Sequence, residues 1–150
     1  MAKMIKPIKT IYVLNGPNLN LLGSREPEIY GSDTLDDIAG RLNEQADALG
    51  VRLDIRQSNH EGHLIDWLHE ANAAGAKAVI LNPGGYGHTS VALRDAVSAI
   101  ATPIIEVHLS DPSTRESFRQ IDLIADVAVQ VIKGQGAAGY LTALDAAARL

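Results

Sequence analysis

The chain has 150 residues, 46% of them hydrophobic and 21% charged, with a formal net charge of -5. That balance predicts one compact soluble domain over residues 1–150 and argues against a nucleic-acid partner, which would want a basic surface. The absence of cysteine removes disulfides, thiolate metal sites and cysteine nucleophiles. The opening MAKMIKPIKT lacks the apolar core of a signal peptide, and no stretch approaches a membrane span, so a cytoplasmic location and no membrane partner are expected.

In chain order, residues 10–14 read as a β-branched buried strand, and 34–49 as a helix with apolar Leu35, Ile38, Leu42 and Leu49, stopped by Gly50. Residues 51–57 alternate as a second strand. A helix over 63–74 ends at Gly75, followed by a strand over 78–81, a helix over 90–100 and a strand over 104–107 after Pro103. A fifth strand is predicted over 127–132, and an alanine-rich helix over 135–148 closes the chain.

Strands alternating with helices predict an α/β fold: a flavodoxin-like three-layer sandwich with a five-stranded parallel sheet in the order 2-1-3-4-5. Ligands of such sheets bind beyond the carboxyl ends of the strands, near the point where strand order reverses. The segments falling there are 15–32, 58–62, 82–89 and 108–114, which hold a large share of the polar residues and glycines.

One motif is a decoy. Residues 134–139, GQGAAG, match GxGxxG between a strand and a helix, but the chain ends before the strand and acidic ribose ligand that a dinucleotide site requires. A tight turn and close helix packing explain the match.

His60 and His63 lack the helical spacing of a metalloprotease pair, so no metal is expected, and His69 reads as a surface residue. His108 follows Glu106 by two along a strand, which puts both on one side, where a carboxylate can fix the imidazole tautomer and sustain its charge. That wiring suits a general acid or base. A hydrogen-bonded histidine capping the strand fits the same residues equally.

The turn from Asn82 to Ser90, NPGGYGHTS, offers backbone amides beside a helix N-terminus and would favour anions. Between Gly16 and Gly31, Arg25 and Tyr30 share a loop. A phenol with a pKa of about 10 is a poor base at neutral pH, but an adjacent cation lowers an acid's pKa by about 1–3 units. Closure of the loop on substrate could form that pair. By themselves, the two residues fit a packed phenol and a solvated guanidinium better.

Together these segments resemble the type II 3-dehydroquinate dehydratases, or type II dehydroquinases. The resemblance lies in 15–27 (NGPNLNLLGSREP), Tyr30-Gly31, 57–62 (QSNHEG), Asn82-Pro-Gly, 88–95 (HTSVALRD), 106–110 (EVHLS), Phe118-Arg119 and 139–141 (GYL), in the family's order over nearly the whole chain. It implies loss of water from 3-dehydroquinate by anti elimination through an enolate, with no metal or organic cofactor. It further implies that Tyr30 as tyrosinate removes the C2 proton, Arg25 lowers its pKa, Asn18 helps hold a water that stabilises the enolate, and His108, oriented by Glu106, protonates the departing C1 hydroxyl. Asn82, His88, Ser110 and Arg119 would bind substrate, assisted by backbone amides around Leu109 and Ser110. Asp95 would reach a neighbouring subunit's site, because the family forms trimers arranged into a homododecamer. The pathway served, aromatic biosynthesis or quinate breakdown, stays open.

The chain departs from the family's usual residues at Gly85, Gly87, Asp111 and 120–122 (QID). The glycines are expected to loosen their turn, Asp111 to weaken anion binding, and the last segment to alter support behind the site. A flavin-binding or phospho-receiver module is the rival on this fold, but Asn15-Gly-Pro-Asn18 supplies neither a phosphate loop nor an acidic cluster.

Overall fold

The computed structural model describes residues 7–24 and 26–150, without the side chain of residue 30. Five parallel strands form one sheet in the order β2-β1-β3-β4-β5: β1 Thr10–Asn15, β2 Arg52–Gln57, β3 Ala78–Asn82, β4 Ile104–Val107 and β5 Gln130–Ile132. Among the described residues, six α-helical segments accompany them: α1 Pro27–Tyr30, α2 Leu35–Leu49, α3 Glu61–Ala73, α4 Tyr86–Thr89, α5 Val91–Ala99 and α6 Ala138–Ala148.

Alternation along β1 divides the core. Ile11 and Val13 join Ile38, Leu42 and Leu144 on the face covered by α2 and α6, while Tyr12 and Leu14 join Leu64, Leu68 and Leu93 beneath α3 and α5. All five residues of β3 are buried, as expected for a strand covered on both faces. The flavodoxin-like sandwich and its strand order agree with the sequence reading.

Local signals set the helix starts. Thr34 and Asp37 form a reciprocal capping box for α2, and Ser90 caps α5 by accepting from the Leu93 amide at 2.9 Å. Three details differ from expectation, and a fourth, the turn at GQGAAG, follows it. The fifth strand is shorter, because the amides of Val127 and Ala128 turn back to the Ile124 carbonyl rather than joining the ladder. Residues 86–89, whose glycines read as a loose loop, form a helical turn in which a Cβ on Gly87 would stand 3.0 Å from the Pro83 ring. Pro27, pre-set for a first helical turn, starts α1 in what reads as a loop. In GQGAAG, Gly134 takes a left-handed φ of 75°, and Gly139 lets α6 pack on Val107 and Ile132.

The ends of β1 and β3 meet closely. A Cβ on Gly16 would lie 2.5 Å from the Pro83 carbonyl oxygen, and the Gly16 amide donates to the Asn82 carbonyl at 2.8 Å. Behind them, the buried Tyr140 hydroxyl donates to Asn15 Oδ1 at 2.7 Å and accepts from Asn82 Nδ2 at 2.9 Å. Among the described residues, no helix is long and apolar enough to cross a membrane.

Candidate active site

A cavity of about 190 Å³ opens over the carboxyl ends of β1, β3 and β4, lined by Asn18, Asn82, His88, His108, Ser110 and Arg119 among others. These are residues for which the family resemblance implies a part in catalysis or substrate binding. Leu109 also lines it, while Glu106 stands behind the wall, fully buried. A second cavity of about 470 Å³ adjoins the first through Leu109, Ser110 and Arg115 and reaches Glu28 and Ile29 of α1. Arg25 and the side chain of Tyr30 lie outside the described residues. Asp95 is exposed on α5 and lines neither cavity.

The β1 loop is pinned from below. Asn18 adopts a left-handed φ of 68°, and its amide donates to Asn59 Oδ1 at 2.9 Å. Gln57 Nε2 in turn donates to the Gly16 carbonyl at 3.1 Å, and the Tyr86 hydroxyl to the Asn59 carbonyl at 2.7 Å. Asn82 Oδ1 accepts from the Gly84 amide at 3.1 Å, so this side chain shapes the β3 turn as well as lining the cavity.

The anion-binding amides expected in the β3 turn are largely committed elsewhere. Those of Gly84, Gly87 and His88 are spent within the turn itself. Positive potential comes instead from the β4 loop. The carbonyls of Leu109 and Ser110 accept from Gly136 and Gly134, while their own amides donate to no other described residue. Arg115 and Arg119 stand on the same wall. Arg119 pairs with Glu116 and stacks on Phe118; Arg115 reaches Ser110 Oγ at 3.5 Å and Glu26 at 3.9 Å.

Asp111 is engaged within its own loop. Its Oδ1 accepts from the Ser113 amide and hydroxyl at 3.0 and 2.6 Å, with Lys133 at 3.8 Å. Those Ser113 hydrogen bonds hold its carboxyl below the ordinary range, and it faces the second cavity rather than the first.

His108, 7% exposed, donates from Nε2 to Oε2 of Glu106. Asp122 Oδ2 lies 3.7 Å from the same nitrogen. Burial alone would lower the imidazole pKa, but Asp122 and Glu106 overturn that effect and raise it to about 9. Burial pushes Glu106 up to about 7 despite its imidazole partner. Although burial opposes it, the neighbouring His108 and Glu106 and the Ile124 amide keep Asp122 below the ordinary carboxylate range.

The donor atoms of Glu106, His108 and Asp122 lie within 4.8 Å of one another. Nε2 and Oε2 are in direct contact, with a proton between them. His60, His63 and His69 are exposed; His63 Nδ1 is engaged by Ser58 Oγ at 2.7 Å, and the His60 ring stacks obliquely on His63.

A family model described as "Dehydroquinase class II" matches residues 9–148. The chain belongs to the class II dehydroquinases. A relative from Caulobacter vibrioides named 3-dehydroquinate dehydratase is 54% identical, the match covering 93% of this chain and 95% of the relative. One of the same name from Chelativorans is 56% identical, covering 95% and 99%. The crystal structure of a type II dehydroquinase from Butyrivibrio crossotus superposes with a TM-score of 0.91 at 40% identity, covering 93% of this chain and 97% of that one. The counterpart from Propionibacterium acnes gives 0.91 at 40%, covering 95% and 97%.

Within this class II dehydroquinase, sequence reasoning missed two contributors. Arg115 has no motif around it; only the single 3-10 turns that fold residues 112–119 back over the cavity bring it in. Asp122 was visible as a departure from family usage, but its approach to His108 depends on a loop path that periodicity does not encode.

Proposed function

We propose that this class II dehydroquinase, a hydro-lyase acting as a 3-dehydroquinate dehydratase, works through two separately tuned groups, Tyr30 as base and His108 as acid. The observation that carries the reading is His108. A buried imidazole kept charged by carboxylates opens on a cavity whose wall offers positive charge from Arg115 and Arg119 and amides of Leu109 and Ser110 with no acceptor among the described residues. Such a wall suits an anionic, hydroxylated substrate such as 3-dehydroquinate.

In the proposed sequence, the Tyr30 phenolate, its pKa lowered by Arg25, takes the C2 proton and the electron pair moves into the ketone to give an enolate. A water held with the help of Asn18 stabilises that charge. The enolate then collapses, the C1–C2 double bond forms, and the C1–O bond breaks as His108 delivers its proton, so that water leaves. Only water is lost, and the electrons balance without oxidant or reductant. Asn82, His88, Ser110 and Arg119, joined by Arg115, hold the substrate's carboxylate and hydroxyls.

The 1–150 chain serves as a single catalytic domain. Asp95, exposed on α5, completes a neighbouring copy's site within trimers of a dodecamer, a role that fits its exclusion from the cavity of its own chain.

Addition of 3-dehydroquinate to purified, metal-stripped protein should produce the ultraviolet absorbance of a conjugated enone. Folded protein that yields no enone would overturn the reading. In Arg25→Gln, the acidic limb of the rate profile should move to higher pH; an unmoved limb would remove Arg25 from the tuning of Tyr30.

A further inference from the structure

The wall behind His108 holds one more carboxylate than a histidine–glutamate pair needs. Glu106 is completely buried, and its Oε1 is the only buried side-chain N or O among the described residues left without a hydrogen-bond partner. An ionised carboxylate in that position is costly, because one oxygen has lost water and gained nothing. Asp122 is placed differently. Its Oδ1 accepts from the amides of Ile124 at 2.9 Å and Ala125 at 3.1 Å, and its side chain keeps 26% of its exposure. Those contacts favour the charged form, and Oδ2 remains turned to His108 Nε2 at 3.7 Å.

Four contacts fix the segment that carries it. The Leu123 amide donates to the Gly87 carbonyl at 2.8 Å, and His88 Nδ1 donates to the Ile121 carbonyl at 2.7 Å. Arg94 on α5 donates to the Leu123 carbonyl at 2.8 Å and pairs with Asp126. Asp122 is therefore held at its distance by α4 and α5, not by the histidine alone.

We propose that Asp122 is a positioning residue for the acid: the counter-ion that keeps the His108 ring charged while Glu106 orients it. Other charged groups around the ring do not replace it. Asp111, on the β4 loop, is spent on Ser113 and Lys133. From the cavity side, Arg115, Arg119 and His88 share the wall, and any positive charge there opposes protonation of the ring. The inference rests on the proposed role of His108 as the acid, but its test does not.

The His108 ring is titrated by NMR in wild-type protein and in Asp122→Asn, Asp122→Glu and Glu106→Gln, each checked for folding by circular dichroism. In Asp122→Asn the midpoint should fall by about 1–3 pH units, and Asp122→Glu should recover most of that loss. In Glu106→Gln, with Asp122 still in place, the midpoint should stay above that of an ordinary histidine. This last arm keeps the proposal testable if Asp122→Asn does not fold. An unmoved midpoint in Asp122→Asn, or a midpoint at or below the ordinary value in Glu106→Gln, overturns the proposal. These titrations need no turnover, so absence of enone production would count against the dehydratase mechanism alone. Where turnover is present, the basic limb of the rate profile should track the ring midpoint across the variants.

Discussion

The side-chain amide of Asn82 donates to the hydroxyl of Tyr140 at 2.9 Å, tying the end of β3 to α6 across 58 residues of sequence. Because the same hydroxyl donates to Asn15, one phenol satisfies two buried amides beneath the cavity. In Tyr140→Phe both lose a partner. Each buried polar group left unsatisfied costs about 1–3 kcal/mol. We expect a reduced denaturant midpoint together with a raised KM, because Asn82 shapes the β3 turn; unchanged stability in urea melts would show the network to be dispensable.

Tyr30→Phe should fold and assemble as the parent does while turnover falls by about 10²–10⁴-fold, the usual contribution of a general base. The check is kcat with 3-dehydroquinate beside a thermal melt. Near-normal turnover would transfer the base role to another group, with His88 the first to examine.

Glu106→Gln keeps a similar shape behind His108 but removes an ionisable group. The ring then holds its proton less tightly, and the basic limb of the rate profile should move to lower pH, away from about 9. The linked effect on stability has a definite sign. His108 has a folded pKa of about 9 against an ordinary 6.5, so its contribution is complete below about pH 6.5 and is lost as pH rises through 9. Glu106, raised from 4.5 to about 7, contributes in the same direction, complete below about pH 4.5 and lost through 7. Urea midpoints of the parent should therefore decline from pH 6 to 9 at this cluster's expense, and His108→Asn should flatten the decline.

Arg119→Met should raise KM more than it lowers kcat. A hydrogen bond to a charged group contributes about 1.5–3 kcal/mol, so a rise of roughly 10–100-fold is expected in steady-state assays. A fall confined to kcat would place Arg119 in the transition state instead.

Gly16→Ala is a test of the close approach at the switch point between β1 and β3. The added methyl would meet the Pro83 carbonyl at 2.5 Å, and backbone cannot give way as a side chain does. Overpacking of this kind costs about 1–3 kcal/mol. The thermal melt should show the loss, with catalysis falling as the Asn18 and Asn82 loops separate.

Much of this was legible in the sequence because the signals are local. Period-two and helical patterns placed the five strands and the long helices, and the Glu106–His108 spacing put both side chains on one side of β4. What escaped depends on distant chain meeting distant chain. The helical turn at 86–89 is hidden by glycines that, taken locally, favour a loop, yet Pro83 packs against Gly87 there. The valine-rich start of the predicted fifth strand is claimed by hydrogen bonds to Ile124. Asp122 carries no periodic mark at all; four contacts from α4 and α5 set its address.

The tether from Arg94 to Leu123 and Asp126 has a mechanical meaning. Residues that line the cavity and the carboxylate proposed as the counter-ion of His108 are carried on one linked unit, α4, α5 and the segment after Arg119. A repacking of α5 far from any reacting atom would thus be read out as a displaced pH optimum, with substrate affinity as a secondary effect. If the proposed roles hold, engineering the working pH of this enzyme need not touch His108; the helix that steadies its proposed counter-ion is the more forgiving place to turn the dial.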